Sequence, residues 1–138
     1  MLSTKTMQGI VKIETGFEHA CAIVSGGAVK CWGSNVNAQL GDGSFVSKTI
    51  PVTVSGLTGV TDLALGAGHS CALMSSGSIK CWGLNSSGQL GDSSITTRTT
   101  PVPVSFISTA SNIDAGMNHT CALLTDNSVS CWGANVNG

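Results

Sequence analysis

The chain has 138 residues, enough for the core of one domain, and a net charge of −1 from 6 basic and 7 acidic side chains. Charged residues are only 9% of it, yet no apolar run approaches the ~20 residues that a membrane-spanning helix needs. So neutral a chain has no field for attracting nucleic acid or anionic lipid, and its polarity comes instead from Ser, Thr, Asn and Gly.

Residues 1–8 lack the apolar core of a signal peptide and read as the remnant of a preceding unit, so a leader has been removed, the chain belongs to a longer one, or it is cytoplasmic, and the first two are favoured. From residue 9 onward the sequence is organised as short strands. Residues 10–13 predict a first strand, and Gly16 ends the segment that follows it. Residues 19–24 and 29–32 predict a second and a third. After a polar loop at 43–50, residues 51–54 predict a fourth, and Pro51 places it at an outer edge because proline has no N–H for the ladder. The whole set then returns at a step of 50 residues. Cys31-Trp32-Gly33 recurs at 81–83 and 131–133, His19 at 69 and 119, Cys21 at 71 and 121, and Gln39-Leu40-Gly41-Asp42 at 89–92. The units are 9–58, 59–108 and 109–138, the last stopping before its Pro strand. A repeat of roughly 40–50 residues made of strands and turns marks a propeller blade or a similar array. No segment has a sustained 3.6-residue period, so the expected fold is all-β, with four-stranded antiparallel blades forming a single repeat array.

The central hairpin can be put in register. With Cys21 opposite Cys31, Ala22 faces Lys30, Ile23 faces Val29 and Val24 faces Ala28, leaving Ser25-Gly26-Gly27 as a three-residue loop. The last residue of such a loop is left-handed, and the units supply Gly27, Gly77 and Asn127 there. Cys21, Ile23, Val29 and Cys31 then share one face, and Ala22, Val24 and Trp32 the other. Both faces are apolar, so each sheet is expected to lie between two neighbours, with Lys30 and Lys80 reaching out at a rim. An even cysteine count at fixed spacing predicts Cys21–Cys31, Cys71–Cys81 and Cys121–Cys131 disulfides in an oxidising compartment. Directly opposed residues lie close enough for such bonds.

The string Gly-Ala-Gly-His-Ser-Cys-Ala-Leu at 66–73, then Gly77, Cys81-Trp82-Gly83-Leu84-Asn85 and Gly88-Gln89-Leu90-Gly91-Asp92, resembles the regulator of chromosome condensation repeat. The resemblance covers nearly all of residues 9–138 and implies blades of a seven-bladed propeller. The paired cysteines resemble the variant common in predicted bacterial surface and secreted proteins. The eukaryotic founder implies nucleotide exchange and chromatin binding, but none of its functional residues transfers, because its contacts lie in loops that differ here. Fewer than three complete blades cannot close a ring, which predicts further repeats in a longer parent chain or head-to-tail self-association. In the second case Met1–Thr4 of one copy supplies the strand missing from another.

Several constellations could carry chemistry. His19, Cys21 and Cys31, with Asp42, could ligate zinc, although the Cys-x₂₋₄-Cys spacing of structural zinc sites is absent. His19 and Cys21 could also form a catalytic dyad, but a motif present three times is a poor nucleophile site, and imidazoles binding nearby backbone carbonyls fit better. Asp42 and Asp92 suggest calcium, with turn capping as the simpler role. Asn85-Ser86-Ser87 and Asn118-His119-Thr120 match glycosylation acceptors. Trp32, Trp82 and Trp132 could form a ligand surface, but their place beside Cys predicts blade-to-blade packing, each indole N–H on a carbonyl. The expected function is a non-enzymatic, extracellular or cell-surface module without cofactor or metal. It would bind a protein or glycan, or act as a structural protein, through the loops at 43–50 and 93–100, where Phe45, Lys48, Ile95 and Arg98 differ between units. A cytosolic exchange factor and a zinc protein or Cys/His enzyme are the alternatives.

Overall fold

A computed structural model describes residues 7–137. The strand proposed for Met1–Thr4 and most of the 1–8 remnant lie outside the described residues. Eleven strands make up the regular structure: β1 Ile10–Thr15, β2 His19–Val24, β3 Val29–Gly33, β4 Lys48–Thr53, β5 Val60–Leu65, β6 His69–Met74, β7 Ile79–Gly83, β8 Arg98–Pro103, β9 Ala110–Ala115, β10 His119–Leu124 and β11 Val129–Gly133. They form three antiparallel meanders in the orders β1-β2-β3-β4, β5-β6-β7-β8 and β9-β10-β11. Strand β4 and its equivalent β8 stand at outer edges, where Pro51 and Pro101 need no ladder donor.

The hairpin register is the expected one in all three sheets. Cys21 pairs with Cys31, Ala22 with Lys30 and Ile23 with Val29, and the same set holds at +50 and +100. The Val24 amide donates to the Ala28 carbonyl at 2.9 Å, closing the three-residue turn. Gly27, Gly77 and Asn127 all have positive φ there, at 81°, 88° and 68°. The Cys pairs are disulfides, with Cα atoms 4.1 Å apart in each, the close approach of a non-hydrogen-bonded pair.

Two boundaries differ from expectation by more than one residue. The first strand runs on to Thr15, and the fourth starts at Lys48 rather than at Pro51. Lys48 pairs with Gly33 and Val52 with Cys31, and the β-branched Thr49 and Ile50 stay extended within the register shift between those two pairs. The loops therefore end at 47 and 97, which moves Lys48 and Arg98 from loops onto strand ends.

Packing follows the two-faced pattern. The face of the first sheet bearing Cys21, Ile23, Val29 and Cys31 packs on Leu63, Leu65, Ala72 and Trp82 of the second. One unit on, Cys71, Leu73, Ile79 and Cys81 receive Ile113 and Ala122 with Trp132. Each fully buried Leu, Ile or Val adds about 1.5–3 kcal/mol of hydrophobic stabilisation. Among the described residues, the outer sheets each leave one such face open. Leu63 is 2% exposed but its counterpart Ile13 is 58%, and Ile79 is 0% exposed against 65% for Val129. The innermost strands β1, β5 and β9 touch their neighbours in turn.

Candidate functional site

Three features of each unit converge where one sheet meets the next. His19 stands at the start of β2 on the cystine face, and its Nε2 lies 2.8 Å from Ser70 Oγ at the start of β6. Ser70 donates its own proton to the Gln39 carbonyl at 2.8 Å, so its oxygen accepts from the ring and His19 carries its proton on Nε2. The same carbonyl accepts the Trp82 indole N–H at 2.8 Å. One unit on, His69 meets Thr120 at 2.9 Å, and the Gln89 carbonyl accepts both Thr120 at 2.9 Å and Trp132 at 3.0 Å. Trp82 and Trp132 thus found carbonyls as expected, and Trp32, on the outer face of the first sheet, makes no such bond among the described residues. His19 and His69 did not bind backbone carbonyls. Their partner is a hydroxyl 51 residues away on the neighbouring sheet, because the ring points across the seam rather than along its own turn.

Burial pushes both rings down to about 4, and at His69 the neighbouring His19 and His119 add to it. Their Nδ1 atoms are buried without a partner. The rings abut Gly16 and Gly66, where an added Cβ would fall 2.5 Å and 2.2 Å from the respective Cε1. Trp82 likewise covers Gly41, whose φ is 67°. Because each sulfur is joined to its cross-strand partner, none of the six cysteines is free to ligate zinc or attack as a thiolate.

A second construction organises the loops. Asn35 is fully buried, accepts from the Leu40 amide through Oδ1, and donates from Nδ2 to Asp42 and to the Ser44 and Val46 carbonyls. Asn85 repeats this with Leu90, Asp92, Ser94 and Thr96, so the amide of the apparent glycosylation acceptor is already occupied. Asp42 and Asp92 cap their turns through Ser44 and Ser94. Burial pushes both carboxyls up, but the serine and asparagine hydrogen bonds outweigh it and hold them below the usual range, aided by Lys48 and Arg98. Lys48 stands 4.0 Å from Asp42, and Arg98 donates to Asp92 at 2.8 Å.

Of the four loop residues singled out in the sequence, Lys48 and Arg98 therefore face their own loops, whereas Phe45 and Ile95 are exposed. The latter two share one end of the array with the β1–β2 turns. Ser34 donates to the Glu18 carbonyl and Leu84 to that of Gly68, which ties the long loops to those turns. Phe17, Val36, Phe45, Val46, Ile95 and Met117 are all exposed at this end. In the turns and connections of the opposite end, Phe106 is the one exposed large apolar residue among the described residues. Sequence reading missed Phe17 and Met117. Their signal was a repeat position, just after Gly16 and Gly116, that carries large apolar residues in the first and third units and Ala67 in the second.

Antiparallel meanders stacked face to face, with inner strands adjoining and a proline edge outermost, are consecutive blades of a β-propeller. Family models for the regulator of chromosome condensation (RCC1) repeat match residues 10–39, 60–89 and 110–138 in one form, and 26–73 and 76–123 in a second. The chain belongs to that family. No curated protein sequence matches it. Among solved structures it is similar to human WBSCR16, at 20% identity and a TM-score of 0.85, over 98% of this chain and 37% of that one. A chain in the crystal structure of Kap60 bound to yeast RCC1 (Prp20) matches at 20% identity and a TM-score of 0.80, over 91% of this chain and 32% of that one. Prp20p from Saccharomyces cerevisiae, described with its binding to Gsp1p and histones, matches at 21% and 0.75, over 91% and 33%. The chain thus spans about a third of the length of these relatives.

Proposed function

We propose that this chain is a non-enzymatic binding and structural module of an extracellular or cell-surface propeller, bacterial in type, whose loop end takes an apolar, weakly charged protein surface. The carrying observation is the gathering of Phe17, Phe45, Val46, Ile95 and Met117 at one end of the blades. Exposed apolar patches of this kind mark protein contact sites. The charges nearby are largely self-neutralised, Asp42 with Lys48 and Asp92 with Arg98, which favours a protein over a polyanion. The yeast relative is described in complex with Kap60 and as binding Gsp1p and histones, so protein partners are the class that carries over. Three disulfides support an oxidising compartment. The open faces of the first and third blades fit further blades, from a longer parent chain or a second copy.

Photo-crosslinking on the native cell surface tests the reading. A probe at position 45 or 95 should capture a protein that a probe in the Ser25–Gly27 turn does not, and a Phe17→Ser/Phe45→Ser/Ile95→Ser variant should lose it. Equal capture from both ends, or capture indifferent to the three substitutions, would overturn loop-end recognition. Six free thiols in protein trapped directly from its native source would overturn the extracellular assignment.

A further inference from the structure

The seams carry a feature that binding at the loop end does not use. Each inner seam places a neutral imidazole between two blades, with Nε2 committed to a hydroxyl of the next blade and Nδ1 buried without a partner. We propose that the His19–Ser70 and His69–Thr120 joints are acid-released latches, which let the blades part when their rings gain a proton.

The argument is geometric. A second ring proton would sit on Nδ1, beside the Gly16 or Gly66 backbone, where Nδ1 makes no hydrogen bond and the nearest groups offer no anion. A buried cation needs a paired anion. The charged groups on the packed elements are Lys12, Glu14 and Glu18 of the first blade's inner hairpin, Asp62 on β5, Asp114 on β9, and Lys30 and Lys80 on β3 and β7. Asp62 is held by Lys12, Glu18 and Asp114 are exposed, and Glu14, half-buried opposite Cys21, makes no ion pair with His19, whose ring is shifted by burial alone. The charges felt at His69 are those of His19 and His119, both repulsive, and at His19 burial alone acts. Charging one ring therefore opposes charging the next.

The sign follows from linkage. Each ring titrates near 6.5 when the seam is open and near 4 when it is closed, so the open state binds more protons between those values. The latch is closed above pH 6.5 and is progressively lost as pH falls toward 4. The opening constant of each joint should rise about a hundredfold across that window.

The three disulfides provide the readout. Cys21–Cys31 and Cys71–Cys81 are fully buried inside the two seams, whereas Cys131 is exposed on the open face. Reduction by a phosphine from pH 7.5 to pH 4, with trapping and peptide mass analysis, gives each rate relative to Cys121–Cys131, which cancels the reagent's own pH dependence. The two inner bonds should be protected at pH 7.5 and lose about a hundredfold of that protection by pH 4. A His19→Gln/His69→Gln variant, with neutral donors at both joints, should keep it. Unchanged protection in the wild type, or equal loss in the variant, would overturn the latch. If the variant is already unprotected at pH 7.5, imidazole ¹⁵N shifts of the wild type decide. Rings that charge in step with the loss of protection uphold the latch, and rings that stay neutral while it disappears sink it. Loop-end capture at pH 7.5 is indifferent to either result, so the two readings fail separately.

Discussion

Replacing Thr120 by Val tests the seam most directly. The two side chains have the same shape, so no cavity opens, but the hydroxyl that joins His69 to the Gln89 carbonyl disappears. Gln89 keeps the Trp132 donor at 3.0 Å and is not orphaned. His69 is fully buried, and its Nε2–H loses its acceptor. An unsatisfied buried donor costs about 1–3 kcal/mol, so T120V should destabilise by about 2 kcal/mol. Ser70→Ala should cost a similar amount at the first seam, where the same two bonds are made. The chain carries its own control. Position 20 is Ala, on a face that no blade among the described residues covers, and Ala20→Ser should change stability by less than about 0.5 kcal/mol. Urea unfolding followed by Trp fluorescence gives all three, as shifts in midpoint at constant slope. A T120V cost below 0.5 kcal/mol, or an A20S effect as large as that of T120V, would refute the seam as a stabilising joint.

Gly66→Ala would set a methyl 2.2 Å from His69 Cε1 on a backbone without positive φ, so its cost is steric, about 1–3 kcal/mol, visible as a lower thermal midpoint. Removing one seam bond by Cys71→Ala/Cys81→Ala should cost about 2 kcal/mol, the low end for disulfides, because the bridged residues are only 10 apart. Asn85→Asp replaces an amide NH2 shared among three acceptors with a carboxylate facing Asp92, and should free the 84–97 loop to proteolysis while the Asn35 loop stays resistant. Arg98→Gln leaves the serine and asparagine bonds to Asp92 intact, so its effect on stability should stay below 1 kcal/mol by chemical denaturation.

The sequence by itself determined everything that repeats within a blade. The 50-residue step, the Cys21–Cys31 register, the left-handed turn residue and the edge proline all depend on contacts between neighbouring strands, whose alternation and turn chemistry are written locally. The pairing of apolar faces was legible too, since Ile23 and Val29 on one side and Trp32 on the other left neither face for water. What lay beyond reach was contact between units. His19 could be seen to follow a glycine turn, but the hydroxyl it binds belongs to the next blade, at a position filled by Ala20, Ser70 and Thr120 in turn. Gly16 looked like a turn glycine, and only the abutting ring shows why a methyl is excluded. Lys48 and Arg98 read as free loop cations until strands β4 and β8, starting early, drew them onto Asp42 and Asp92. Those choices rest on the distance between sheets and the direction of single side chains, which period and propensity do not encode. The tertiary structure alone decided them.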